Sequence, residues 1–104
     1  MYIVIFCDKG NTFRAVSNKI LLAISDYVNC RTKYNRSIFE IDEKDIIIDI
    51  RSDDILKAAG LRPDYVLFHQ VSKSFIETWE YNMKGRYTEI KSLEELIQMV
   101  IKED

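Results

Sequence analysis

From Tyr2 to Cys7 every side chain is apolar or aromatic. A β-rich run of that length predicts a strand covered on both faces, and Asp8-Lys9-Gly10-Asn11-Thr12 breaks it with a loop. Helical spacing follows. Phe13, Val16, Ile20, Ala23, Ile24 and Tyr27 recur on one face, and Asn11 or Thr12 can cap the first turn by accepting from its unpaired amides. From Cys30 to Ser37 the chain is polar and basic with no hydrophobic period, which predicts a loop.

Ile38 to Ile41 and Ile46 to Ile50 read as two strands, joined by Asp42-Glu43-Lys44-Asp45 closely enough to be antiparallel neighbours. Asp53 or Asp54 can cap a short helix through Ala59, and Gly60 suits the left-handed residue at its end. After a Pro63 corner, Tyr65 to Phe68 forms another buried strand. Ser72 or Ser74 opens the next helix, with Ser74-Phe75-Ile76-Glu77 as a capping box and Phe75, Ile76, Trp79 and Met83 facing the core. Gly85 ends it. Tyr87 to Ile90 makes a short last strand, and Ser92-Leu93-Glu94-Glu95 is a second capping box before Leu96, Ile97, Val100 and Ile101.

Strands alternating with helices in this order predict an α/β three-layer sandwich. Its sheet is expected to be mostly parallel and Rossmann-like or P-loop-like, with about five strands and the 38–50 hairpin as an antiparallel edge. At 104 residues a single domain spanning 1–104 is expected. The composition, 47% hydrophobic and 31% charged, is that of a globular protein, and no apolar run approaches the roughly 18 residues of a membrane span. The amino-terminal residues lack the basic leader and cleavage site of a signal peptide, and Cys7 and Cys30 fit neither a Cys-x-x-Cys pair nor a zinc site, so a cytoplasmic protein with reduced thiols is expected. A net charge of −2 argues against a protein that coats nucleic acid.

The strand Asp45-Ile46-Ile47-Ile48-Asp49-Ile50 and the segment Gly60-Leu61-Arg62-Pro63-Asp64-Tyr65-Val66-Leu67-Phe68 resemble, in their order, the core of a P-loop NTPase, specifically the ATPase of phage terminase large subunits. The resemblance is clearest from Ile38 to Gln70 and implies a nucleotide-binding-like fold. The chain departs from that family where its chemistry lies. Asp8-Lys9-Gly10-Asn11-Thr12 has one glycine, a lysine before it and an acid that repels phosphate, whereas a working phosphate loop needs several glycines followed by Lys and Ser or Thr. His69-Gln70 stands where the family carries a magnesium-holding acidic pair. These departures speak against ATP hydrolysis, and no catalytic residue, metal or cofactor is expected.

Strand ends in α/β sheets are the usual ligand edge, so Lys9, Gly10, Asn11, Thr12, His69 and Gln70 form a candidate ligand site. The plainer reading is a capped strand-to-helix turn. Cys7 with His69 has the residue types of a nucleophile pair, although a cysteine ending an apolar strand more commonly acts as a small buried hydrophobe. Between Glu40 and Asp54 acids outnumber bases seven to two. Glu40, Asp42, Glu43 and Asp45 are therefore candidates for contact with a basic partner, against the plainer reading of a charged edge that resists aggregation. Tyr81, Arg86 and Tyr87 cluster near Gly85, and Tyr and Arg dominate binding hot spots. Arg31, Lys33 and Arg36 around Tyr34 have the composition of a nucleic-acid contact.

The reading that follows is a small non-enzymatic protein that binds another macromolecule, in the manner of a phage or mobile-element regulator or inhibitor of a host defence protein. Its alternatives are a nucleotide- or phosphate-binding protein using residues 8–12 with His69, and a nucleic-acid accessory protein. A homodimer through an exposed Ile38–Ile41 edge is compatible with each.

Overall fold

The structure is a computed structural model. It describes residues 1–8, 11–53, 60–83 and 85–102, the side chain of Asn11 excepted. In chain order the elements are β1 (Tyr2–Cys7), α1 (Asn11–Ile24), β2 (Arg31–Lys33), β3 (Ile38–Ile41), a 3-10 turn (Asp42–Lys44), β4 (Ile46–Ser52), β5 (Tyr65–His69), α2 (Lys73–Met83), β6 (Thr88–Ile90) and α3 (Leu93–Ile101). The strands make one mixed sheet in the order β2-β3-β4-β1-β5-β6.

β1 lies in the middle of the parallel part, with β4 on one side and β5 on the other. β6 extends that part beyond β5, while β3 pairs antiparallel with β4 and β2 antiparallel with β3. Two of the five pairings are thus antiparallel, and the mostly parallel sheet of about five strands becomes a mixed sheet of six.

The added strand, β2, falls inside the stretch expected to be a loop. All three of its side chains are exposed, so it leaves no hydrophobic period, and its ladder to β3 is made by backbone and by charge. It also displaces the 38–50 hairpin from the sheet edge, because β2 now covers β3.

Alternation along β1 sorts the core into two layers. Ile3, Ile5 and Cys7 join Val16, Ile20 and Ile24 of α1 and Leu93, Leu96, Ile97 and Val100 of α3. Val4 and Phe6 point the other way, to Phe75, Trp79 and Met83 of α2. A central strand buried on both faces is what the unbroken apolar run requires.

The helix ends are set by side chains. Ser92 caps α3 by accepting from Glu95 N at 3.1 Å, as its capping box predicts, and Glu95 in return accepts from Lys91 N. For α2 the cap is Ser72, which accepts from Phe75 N at 3.1 Å; Ser74 lies inside the helix, so the Ser74–Glu77 box does not form. α1 stops at Ile24, short of Tyr27, which is 69% exposed, and Val28 takes the buried place instead. Gly60 and Gly85 both have positive φ, 87° and 74°, which a glycine adopts without penalty. The short helix expected over 53–59 lies outside the described residues beyond Asp53.

Candidate functional site

At the carboxyl edge of the parallel strands β1 and β5 end side by side, with Cys7 and His69 as in-register partners. Partners across adjacent strands project to the same face, so the sheet does bring these two residues together. The Cys7 hydrogen bond goes elsewhere. The Cys7 thiol is fully buried and points its hydrogen at the carbonyl of Arg51, 3.8 Å away. Burial first, then the carboxylates of Asp53 and Asp8, push its pKa up to about 11, opposite to the shift that activates a nucleophilic thiol. His69 is half-buried and close enough to Glu94 of α3 that its charge helps lower that carboxyl's pKa, after the larger effect of Lys19, which bonds Glu94 at 2.7 Å.

The rest of the predicted ligand site is less assembled. Lys9 and Gly10 lie outside the described residues, as does the Asn11 side chain, and Thr12 is half-buried in the first turn of α1. Gln70 is exposed and left-handed at φ 57°, turning the chain away from β5. Among the described residues no three His, Cys, Asp or Glu side chains are grouped to hold a metal ion.

The acidic hairpin and the basic stretch, distinct in sequence, are one structure. Register places Arg31 opposite Glu40. Arg31 reaches Glu40 and Asp42, each at 3.0 Å, and Lys33 reaches Glu40 at 2.6 Å. Much of the negative charge offered to a partner is therefore met within the sheet. Glu43 and Asp45 remain exposed, with Asp45 held left-handed at φ 53° and its carbonyl accepting from the Met1 ammonium at 2.7 Å.

Around Gly85 the candidates divide. The Tyr87 ring is half-buried against Phe68 and Trp79, and burial followed by Glu80 and Glu89 pushes its hydroxyl up to about 12. Its cleft, about 310 Å³, is lined by Glu80, Gly85, Glu89 and Lys91 as well. Tyr81 is 78% exposed and Arg86 is also exposed.

Two features escape sequence reasoning. Asp49, though only 4% exposed, sits in β4 facing away from Ile48 and Ile50; it accepts from Tyr2 Oη at 2.6 Å and from Arg51 Nε at 3.0 Å. An acid inside the run Ile46–Ile50 is the signal that marks it. The second is the β2–β3 turn, where Tyr34, Asn35 and Arg36 are all left-handed, at φ 52°, 55° and 68°. Nothing in their residue types announces three such residues in succession.

Comparison of the chain with protein-family models, with curated proteins and with solved structures finds no match.

Proposed function

We propose that this protein acts by binding another protein and does no chemistry of its own, as a regulator or inhibitor. The observation that carries the reading is the surface at the end of α2, where Tyr81 stands 78% exposed and Arg86 is exposed across the Gly85 turn. Phe75, Trp79 and Met83 anchor the opposite face of the same helix, so the aromatic side chain is presented on a rigid element. The raised pKa and burial of Cys7 support the non-enzymatic part. The parallel run β4-β1-β5-β6 supports reading the sheet as Rossmann-like or P-loop-like in ancestry, with a binding surface displaced from the strand ends.

The test is affinity capture from cells with the wild-type chain and with the double variant Tyr81→Ala/Arg86→Ala. A protein that co-purifies with the wild type and is lost with the variant, at unchanged melting temperature, is the expected result. Equal recovery by both forms overturns the assignment of this surface. Thermal stabilisation by nucleotides with magnesium, about 2.7 kcal/mol at a hundred times the dissociation constant, overturns the non-ligand reading.

A further inference from the structure

We propose that the β2–β3 turn and the adjoining face of α1 bind single-stranded nucleic acid, with a phosphate held between Arg14 and Arg36 and a neighbouring base laid against Tyr34. This surface lies at the β2 side of the sheet, away from the Gly85 turn, and the inference stands independently of the reading above.

Position, together with charge, picks out two arginines. Arg31, Lys33 and Arg51 are each bonded to carboxylates, as are Lys19, Lys73 and Lys91. Lys44, Arg62, Arg86 and Lys102 form no ion pair with a described carboxylate, and neither do Arg14 and Arg36, but these last two share one cleft of about 210 Å³ with Phe13, Ser17, Asn18 and Asn35. The cation set is therefore not the one the basic stretch suggests: Arg31 and Lys33 brace β3, and Arg36 is joined by Arg14 from α1. That cleft is smaller than the roughly 300–1,000 Å³ of small-molecule sites and suits one charged group of a larger ligand.

On the other side of the same turn lies a cleft of about 510 Å³, lined by Tyr34, Ser37, Ile38, Asp49, Ile50 and Arg51. Tyr34 is 76% exposed at its rim. Arg51, whose side chain is 38% exposed, adds guanidinium donors to this lining while also pairing with the buried Asp49. A stacking ring beside a cation that neutralises the backbone is the general way single strands are held without strict sequence preference.

The turn between the clefts is fixed in a conformation that ordinary residues seldom hold. Ser17, only 3% exposed, donates to the Arg36 carbonyl at 2.8 Å, and Ile50 N donates to the Ser37 carbonyl at 2.7 Å. Arg36 is steadied by Asn18 at 3.4 Å. Three left-handed residues in succession persist only where their surroundings impose them, and such strain gathers at ligand clamps.

Fluorescence anisotropy with a labelled mixed-sequence single strand, on the order of ten nucleotides, tests the proposal. With one phosphate neutralised, affinity is expected to fall roughly two- to threefold between about 50 and 200 mM salt. Arg14→Gln/Arg36→Gln should weaken binding and flatten that dependence, whereas the charge-matched control Lys73→Gln/Lys91→Gln should leave both unchanged. Tyr34→Ala should weaken binding by at least about fivefold while Tyr34→Phe retains it, the value of one base stacked on an aromatic ring. Circular dichroism melting of every variant separates lost binding from lost folding. No association at low salt, or equal losses in the charge-matched control, overturns the proposal. So does equal affinity for duplex, or for a free mononucleotide. A co-purifying protein lost with the Arg14→Gln/Arg36→Gln variant, in the absence of strand binding, reassigns the cleft to an acidic protein segment and likewise overturns it.

Discussion

The hydroxyl of Tyr2 donates to the carboxylate of Asp49 across 2.6 Å, joining the first residue of β1 to the fourth of β4. Asp49 is nearly fully buried, and its carboxylate is satisfied by this bond and by Arg51, whose side chain remains 38% exposed. Asp49→Ala is expected to destabilise the fold by about 2–4 kcal/mol, below the full cost of breaking a buried pair because Arg51 can turn to water. Tyr2→Phe removes one charge-assisted bond and should cost about 1–2 kcal/mol. Urea unfolding checks both, and equal losses for the two variants would contradict the partition.

The thiol of Cys7 makes a prediction at alkaline pH. The folded chain retains a proton up to about 11 that an ordinary cysteine, near 9.0, has released. Keeping it neutral contributes stability that is fully present below about pH 9 and is lost as pH rises through about 11. Tyr87, raised to about 12 mainly by burial, adds a loss of the same sign at higher pH. Stability of the wild type should therefore fall over this window more steeply than that of Cys7→Ala. Identical slopes would remove Cys7 from the account. Alkylation of Cys7 in the folded protein at neutral pH should be slow beside that of Cys30, which is only half-buried.

Glu40 tests whether β2 is held by charge. Its carboxylate, 17% exposed, meets both Arg31 and Lys33. Because both cations are largely in solvent, Glu40→Gln should cost only about 1 kcal/mol. Glu40→Lys places like charges across the strand pair and should cost more, with faster amide exchange in β2 and β3 but not in β1. Uniform exchange throughout the sheet would count against a locally held edge.

At Gly85 an added Cβ meets no atom within 4 Å, so any cost of substitution comes from its φ of 74° alone. Gly85→Ala should destabilise by about 1–2 kcal/mol and Gly85→Asn by less, since Asn tolerates the left-handed region. Thermal melts of the two variants give the comparison.

Legibility in the sequence followed hydrophobic burial. β1 and β5 are marked by apolar runs, β4 by an isoleucine-rich run that Asp49 interrupts, and α3 by both its Ser92 cap and its apolar spacing, because each of these signals is local to the residues that make the element. β2 left no such trace, for its stability comes from a backbone ladder and from Glu40 and Asp42, residues 9 to 11 positions further along. The same long-range pairing altered the candidate sites. Acid and base runs counted separately along the chain become one braced edge, while Arg14 and Arg36, 22 positions apart by number, come to line the same cleft.

Trp79 is the sole tryptophan and belongs to the smaller of the two cores, packed edge-on to Phe6 with ring centroids 4.8 Å apart. Its emission consequently reports the α2 layer and is blind to direct loosening of α1 and α3, whereas far-ultraviolet circular dichroism sees α1, α2 and α3 together. Superimposable denaturation curves from the two signals would mean that the central strand couples both layers into one cooperative unit. An earlier fluorescence transition would mean that α2 can detach while the larger core stands.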